Sequence, residues 1–264
     1  MGPLLAIRRA GLRAVLVGSC GLLAASLVRA DGLADLQSAL GRLKEQQAVR
    51  AQLEISSYRR QVDDGVVDEA NVSLTLLLAM RASGLSVHYG PELLARQIAE
   101  ALAVSKDAEA RQALSNLLRE TGTASLVEVL TAAQVLSRSL GTAVFRAEAV
   151  DDWAGKPARR LSFEIPARVL PRKDRKYVKD FRTSLDVWID AEGMPLASTL
   201  RSKVAGRAFL VVSFERELEQ QRSYAVVDDR LIVMRAEERT RASGAGSQLE
   251  SRTLKVLNLL APER

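Results

Sequence analysis

The chain has 264 residues, with 38 Lys and Arg against 32 Asp and Glu, a single His, a single Cys and a formal net charge of +6. Arg8, Arg9, Arg13 and Arg29 sit in a first stretch that holds no acid, so the rest carries 34 bases against 32 acids, too even a balance for a nucleic-acid footprint. Cys20 lies in that same stretch, which leaves the remainder without a disulfide, a thiol nucleophile or a thiolate metal site and requires one sizeable core held by burial alone.

Residues 1–30 read as a secretory signal peptide, because the arginines precede an apolar run from Ala14 to Val28 and Val28-Arg29-Ala30 sets small residues where signal peptidase reads them. The expected location is the periplasm. A retained anchor is one alternative, although the run is shorter than the ~20 residues a bilayer-spanning helix needs. A lipoprotein signal at Val17-Gly18-Ser19-Cys20 is another, but there the apolar run continues past the cysteine. Residues 31–264 are expected to form a single domain.

From residue 33 to 47, Leu33, Leu36, Leu40 and Leu43 recur three and four apart, with Asp31 as an N-cap, which predicts an amphipathic helix. The period then falls to two. Val49, Ala51, Leu53 and Ile55 alternate with polar residues, Val62-Asp-Asp-Gly65 supplies a turn, and Val72 to Met80 answers as a second strand, followed by a short run from Leu85 to Tyr89. Residues 91–140 switch to three helices. The first begins at Pro91 with Leu94, Ile98 and Leu102 as its inner face; the second is capped by Ser105; the third has capping-box spacing at Ser125 and Glu128 before Leu126, Leu130 and Leu136, and closes at Gly141.

Strands follow to the end of the chain, at Thr142 to Val150, Arg160 to Ile165, Ala208 to Leu218, Tyr224 to Val227, Leu231 to Arg239 and Leu249 to Leu259. The clearest pair lies between Lys179 and Val204. Phe181, Thr183, Leu185, Val187 and Ile189 alternate with Arg182, Ser184, Asp186, Trp188 and Asp190, the chain reverses through Asp190-Ala-Glu-Gly193, and Pro195 opens the return strand. Nine or ten strands joined by short loops favour an antiparallel meander, so the fold class is α+β.

Residues that carry chemistry are few and scattered. His88 stands between Val87 and Tyr89 on a strand, without the partners that a general base or a metal site requires. Asp63-Asp64, Asp151-Asp152 and Asp228-Asp229 all fall in turns, where aspartate bonds the local backbone. No phosphate-binding glycine loop, nucleophile elbow or zinc-binding helix motif occurs. The expectation is no catalytic residue, no metal and no cofactor. Arg172, Lys173, Arg175, Lys176 and Lys179 form the densest charge cluster, read as a solvated loop or as a contact for phosphate head groups or an acidic partner face.

The order of elements across 31–260, with the hairpins DDWAGKPARRLSFEI and DVWIDAEGMPL, resembles the half-barrel fold of the periplasmic lipoprotein carriers LolA and LolB. The resemblance implies a curved, mostly antiparallel sheet; the N-terminal helix and the helical insertion at 91–140, which is larger and falls earlier than a carrier would have it, are expected to pack on its concave side. It further implies a non-enzymatic periplasmic protein that binds a lipid or a lipid-modified protein, in outer-membrane lipoprotein or lipid handling. Leu94, Ile98, Leu102, Leu126, Leu130, Leu185 and Val187 are then the candidates for an apolar groove or its lid. The alternative is an interaction or sensor module of the same fold, with a filled core and another periplasmic protein as partner.

Overall fold

The computed structural model describes residues 31–43, 47–208 and 212–261, so the expected signal peptide lies outside the described residues. Helix α1, Gly32–Arg42, starts where the Asp31 carboxylate accepts the Ala34 N–H at 3.2 Å, and it buries Leu36, Ala39 and Leu40. It stops short of residue 47 because Leu43 is already extended.

Ten strands follow among the described residues: β1 Val49–Asp63, β2 Val66–Arg81, β3 Gly84–Tyr89, β4 Val144–Trp153, β5 Lys156–Glu164, β6 Val178–Ile189, β7 Pro195–Ala208, β8 Val212–Val227, β9 Arg230–Gly244 and β10 Ser247–Leu259. They make one open, wholly antiparallel sheet in the order β3-β2-β1-β10-β9-β8-β7-β6-β5-β4. Three hairpins turn through two consecutive residues at positive φ, Asp64-Gly65, Ala154-Gly155 and Ala245-Gly246, the twist that fits two-residue loops to paired strands. The strand expected in two pieces, 208–218 and 224–227, is continuous as β8. A register shift between Ser223 and Tyr224 against β9 accounts for the break in its pattern.

The chain leaves the sheet at one edge, β3, and re-enters at the other, β4. Four helices make that crossing: α2 Pro91–Lys106, α3 Ala113–Thr121, α4 Thr123–Leu130 and α5 Ala132–Thr142. α3 packs on β2, α4 and α5 pack on β9, and α1 packs on β5 and α5, so one face of the sheet is covered. Leu53, Leu76, Leu161, Val187, Leu231 and Leu257 meet Leu36, Leu117, Leu130 and Leu136 from the helices in a single core.

The helix boundaries correct the sequence reading. Ser105 lies inside α2 and gives its hydroxyl to the Leu102 carbonyl; α3 is capped instead by Glu100, whose carboxylate accepts the Leu114 and Ser115 N–H groups at 3.0 and 2.7 Å. Ser125 is within α4 rather than before it, the expected third helix breaks at Thr131, and Gly141 lies inside α5. The capping-box spacing was matched by accident, since Gly122 already turns the chain at that point.

Candidate functional site

The seven apolar candidates separate into two groups. Leu126, Leu130, Leu185 and Val187 are buried and join the one core between helices and sheet. Leu94, Ile98 and Leu102 are not an inner face: they are exposed by 45%, 61% and 56%, and α2 buries Leu93 instead. Two polar contacts set this rotation. Arg96 Nη1 donates to the Ser73 carbonyl at 2.9 Å, on the part of β2 that lies past the end of β3, and Glu100 must reach the start of α3. With the Arg96 and Glu100 side chains reaching to β2 and α3, the stripe of Leu94, Ile98 and Leu102 lies on the other side of the helix.

Beside the core the covered face becomes polar. A cleft of about 210 Å³ lies between α3, α4 and strands β8, β9 and β10, with Leu117, Val129, Val233 and Ala236 as apolar walls. Its polar side chains include Glu120, Ser125, Glu128, Gln220, Arg222, Glu238 and Lys255, together with Thr121 and Thr253. Lys255 Nζ donates to Ser125 Oγ at 2.5 Å, Gln220 donates to Glu238 at 2.9 Å, and Arg222 stands 3.7 Å from Glu128. Burial pushes the Lys255 ammonium below its ordinary value, outweighing Glu238, and Arg222 pushes the same way against Glu128. Nearby, Tyr224 shares a 2.7 Å hydrogen bond with Ser198, and its phenol is raised chiefly by burial.

The opposite face holds a broader open trough, about 890 Å³, crossed by strands β6 to β10. Strand register explains its lining. Arg182, Lys203, Glu217, Arg241, Glu250, Arg60 and Glu69 stand directly opposite one another across seven strands, and Ser184, Arg201, Glu219, Arg239, Arg252 and Tyr58 form the next row. Most of these charges already pair. Lys203 bonds Glu215 and Glu217, Arg201 bonds Glu219 at 3.3 Å, and Glu237 takes Arg239 at 2.7 Å and Arg252 at 3.0 Å. The Arg239 hydrogen bond, with that of Arg252, holds the Glu237 carboxyl below its ordinary value against the effect of burial.

The basic cluster follows a short 3-10 turn at Ala167–Val169 and includes a single helical turn, α6, Arg172–Arg175. Arg172, Lys173, Arg175, Lys176 and Lys179 are all exposed there, with Arg175 Nε tied to the Leu170 carbonyl and Lys176 Nζ 4.7 Å above the Tyr177 ring. His88 is exposed on edge strand β3, paired opposite Leu77. Among the described residues, no group of three or more His, Cys, Asp or Glu is placed to hold a metal, and no helix is long and apolar enough to cross a membrane.

The chain matches no protein-family model, no curated protein and no solved structure. The site must therefore be read from its residues. Sequence reasoning missed the cleft because Ser125 and Lys255 are 130 positions apart and meet only once α4 lies on β9, beside β10. The one local signal was Lys255, a charge at an inward position of β10, two residues before buried Leu257.

Proposed function

We propose that this chain is an exported binding module, a filled half-barrel that engages another extracytoplasmic protein through the exposed face of α2. The observation that carries this reading is the contrast between the core and that helix. Leu126, Leu130, Leu185 and Val187 fill the space between sheet and helices, whereas Leu94, Ile98 and Leu102 stand in solvent on consecutive turns of one face. An apolar stripe at helical spacing is the form in which helices meet a partner's groove, and each large side chain covered contributes about 1.5–3 kcal/mol. The basic cluster of Arg172, Lys173, Arg175, Lys176 and Lys179 is a second, electrostatic contact in this proposal, for an acidic partner face or for phosphate head groups.

Handling of a lipid or a lipid-modified protein is the second reading, and the same stripe favours it. Three leucine-like side chains on one helix would exchange water for acyl-chain contacts without disturbing the core, and α2 would then be the mobile cover. A photo-crosslinking amino acid at position 98 in the exported chain decides between the two. A protein adduct supports the interaction module, a lipid adduct supports carriage, and the absence of any adduct above that seen at exposed position 150 removes α2 from both.

A further inference from the structure

We propose that Ser125 and Lys255 form a nucleophile and its general base, able to take an acyl group from a small neutral or cationic ester or amide that enters the cleft beside α4. This goes beyond the binding reading and does not depend on it, since the cleft and the α2 stripe share no residue.

The geometry places a hydroxyl beside an amine in a partly apolar cleft. Lys255 Nζ is in hydrogen-bond contact with Ser125 Oγ at 2.5 Å, the approach a base needs to remove the hydroxyl proton. Ser125 occupies the first turn of α4, where the first helical hydrogen bond runs from Leu126 N–H to the Gly122 carbonyl and where no side chain caps the end. The N–H groups of Thr123, Ala124 and Ser125 therefore have no partner within the helix, and of these three residues Ser125 lines the cleft. Leu117, Val129, Val233 and Ala236 form the apolar wall that lowers the cost of a neutral amine.

The charged groups that act on Lys255 are Glu238 from β9, Arg222 from β8 and Glu128 from α4, while Glu120 of α3, at the edge of the cleft, pairs with Arg59 at 3.4 Å. Burial outweighs the two carboxylates that act on the lysine and favours its uncharged form, as a base requires. With Glu120 matched by Arg59, two carboxylates, Glu128 and Glu238, stand against Arg222 and leave the cleft negative once Lys255 is neutral, which disfavours an anionic acyl donor. A volume of about 210 Å³ restricts the acyl group to a few heavy atoms.

The step balances without a further reagent. Lys255 takes the Ser125 proton as Oγ bonds to the carbonyl carbon, and the carbonyl electron pair moves to oxygen, facing the first turn of α4. Collapse breaks the bond to the leaving alcohol or amine, which receives the proton from Lys255 and departs. Water then attacks the acyl-serine, giving its proton to Lys255 and finally to Ser125 Oγ, and releases the carboxylic acid.

The purified exported chain is treated with a fluorophosphonate probe, and with p-nitrophenyl acetate as a neutral acyl donor. The expected result is a single adduct mapped to Ser125 by peptide mass spectrometry, lost in Ser125→Ala, and formed at least about 100-fold more slowly in Lys255→Met. The wild-type rate should rise with pH to a plateau at an apparent value below the ordinary lysine value of 10.5. Labelling elsewhere, no labelling, or a Lys255→Met rate equal to wild type overturns the proposal. Should Lys255→Met lose its fold by circular dichroism, the wild-type pH profile and the Ser125→Ala comparison decide alone.

Discussion

Arg230, the first residue of β9, donates from Nη1 to the Leu130 carbonyl at 2.9 Å and so closes the C-terminal end of α4 from inside the protein. Its Nε and Nη2 reach the Gln47 carbonyl at 3.2 and 3.0 Å, just ahead of β1, and the residue is only 4% exposed. A fixed positive charge beside a helix C-terminus meets the carbonyls that lack partners there. Arg230→Ala removes these bonds and leaves the Leu130 carbonyl without its donor inside the protein. The expected loss is about 3 kcal/mol, read as a lower midpoint in urea with an unchanged slope. A midpoint within error of wild type would show that water replaces the guanidinium.

Gly193 gives the second prediction. The Asp190 carboxylate shapes its loop by accepting the Glu192 and Met194 N–H groups at 3.0 and 2.8 Å, and Gly193 itself has φ of +83°. A Cβ there would lie 2.6 Å from the Asp35 carbonyl, because the hairpin tip rests on α1. Arg159 strengthens the same junction, bonding Asp35 at 2.8 Å and lying within 3.4 Å of the Asp190 and Ala191 carbonyls. Gly193→Ala should therefore cost about 1–3 kcal/mol through strain and the loss of α1 docking. Hydrogen exchange should quicken in α1 before it does in β9, and uniform protection would refute the link.

The register of β6 gives the third. Leu185 is 4% exposed and faces Phe163 and Leu200 on its two neighbouring strands, whereas adjacent Ser184 points to the charged trough. Leu185→Ala should cost about 2–5 kcal/mol and Ser184→Ala less than about 0.5. Equal melting temperatures would mean that the strand is paired one residue out of step.

The strands were legible because the period of two survives along chains this long. Val49 to Ile55, Phe181 to Ile189 and the Asp-Gly and Ala-Gly turns carry their own signal, and the alternation needs no knowledge of the neighbouring strand. Helix rotation was not legible. Leu93 and Leu94 are adjacent and equally apolar, so the choice between them was made by Arg96 and Glu100 reaching Ser73 and α3, contacts that depend on where β3 ends. The pairing of β10 with β1, and the meeting of Lys255 with Ser125 that follows from it, are long-range facts that no local pattern records.

The exposed stripe of α2 makes a prediction of the opposite kind. Ile98→Ser should change stability by no more than about 0.5 kcal/mol, since Ile98 is 61% exposed and packs on nothing in the core. Crosslinking or affinity for a partner should fall all the same, because a residue at the middle of a contact stripe carries more than its share of the binding energy. A large drop in melting temperature would place Ile98 in the fold rather than on the surface.

Lys255 sets stability against chemistry, and the sign of its pH dependence follows from burial. Its folded-state value lies below the ordinary 10.5, so between those two values the unfolded chain binds the extra proton. Stability should therefore rise with pH across that window, and below it the native state bears the full cost of holding a charge in the cleft. Lys255→Met removes that cost and fills the same volume with an apolar side chain. The variant should melt higher than wild type at neutral pH, and the difference should shrink as pH climbs towards 10.5. Gln220, bonded to Glu238 and not to Lys255, offers the control, since Gln220→Leu should show no such convergence. A lower melting temperature for Lys255→Met would mean that the Ser125 contact holds α4 on the sheet and that the lysine is there for structure.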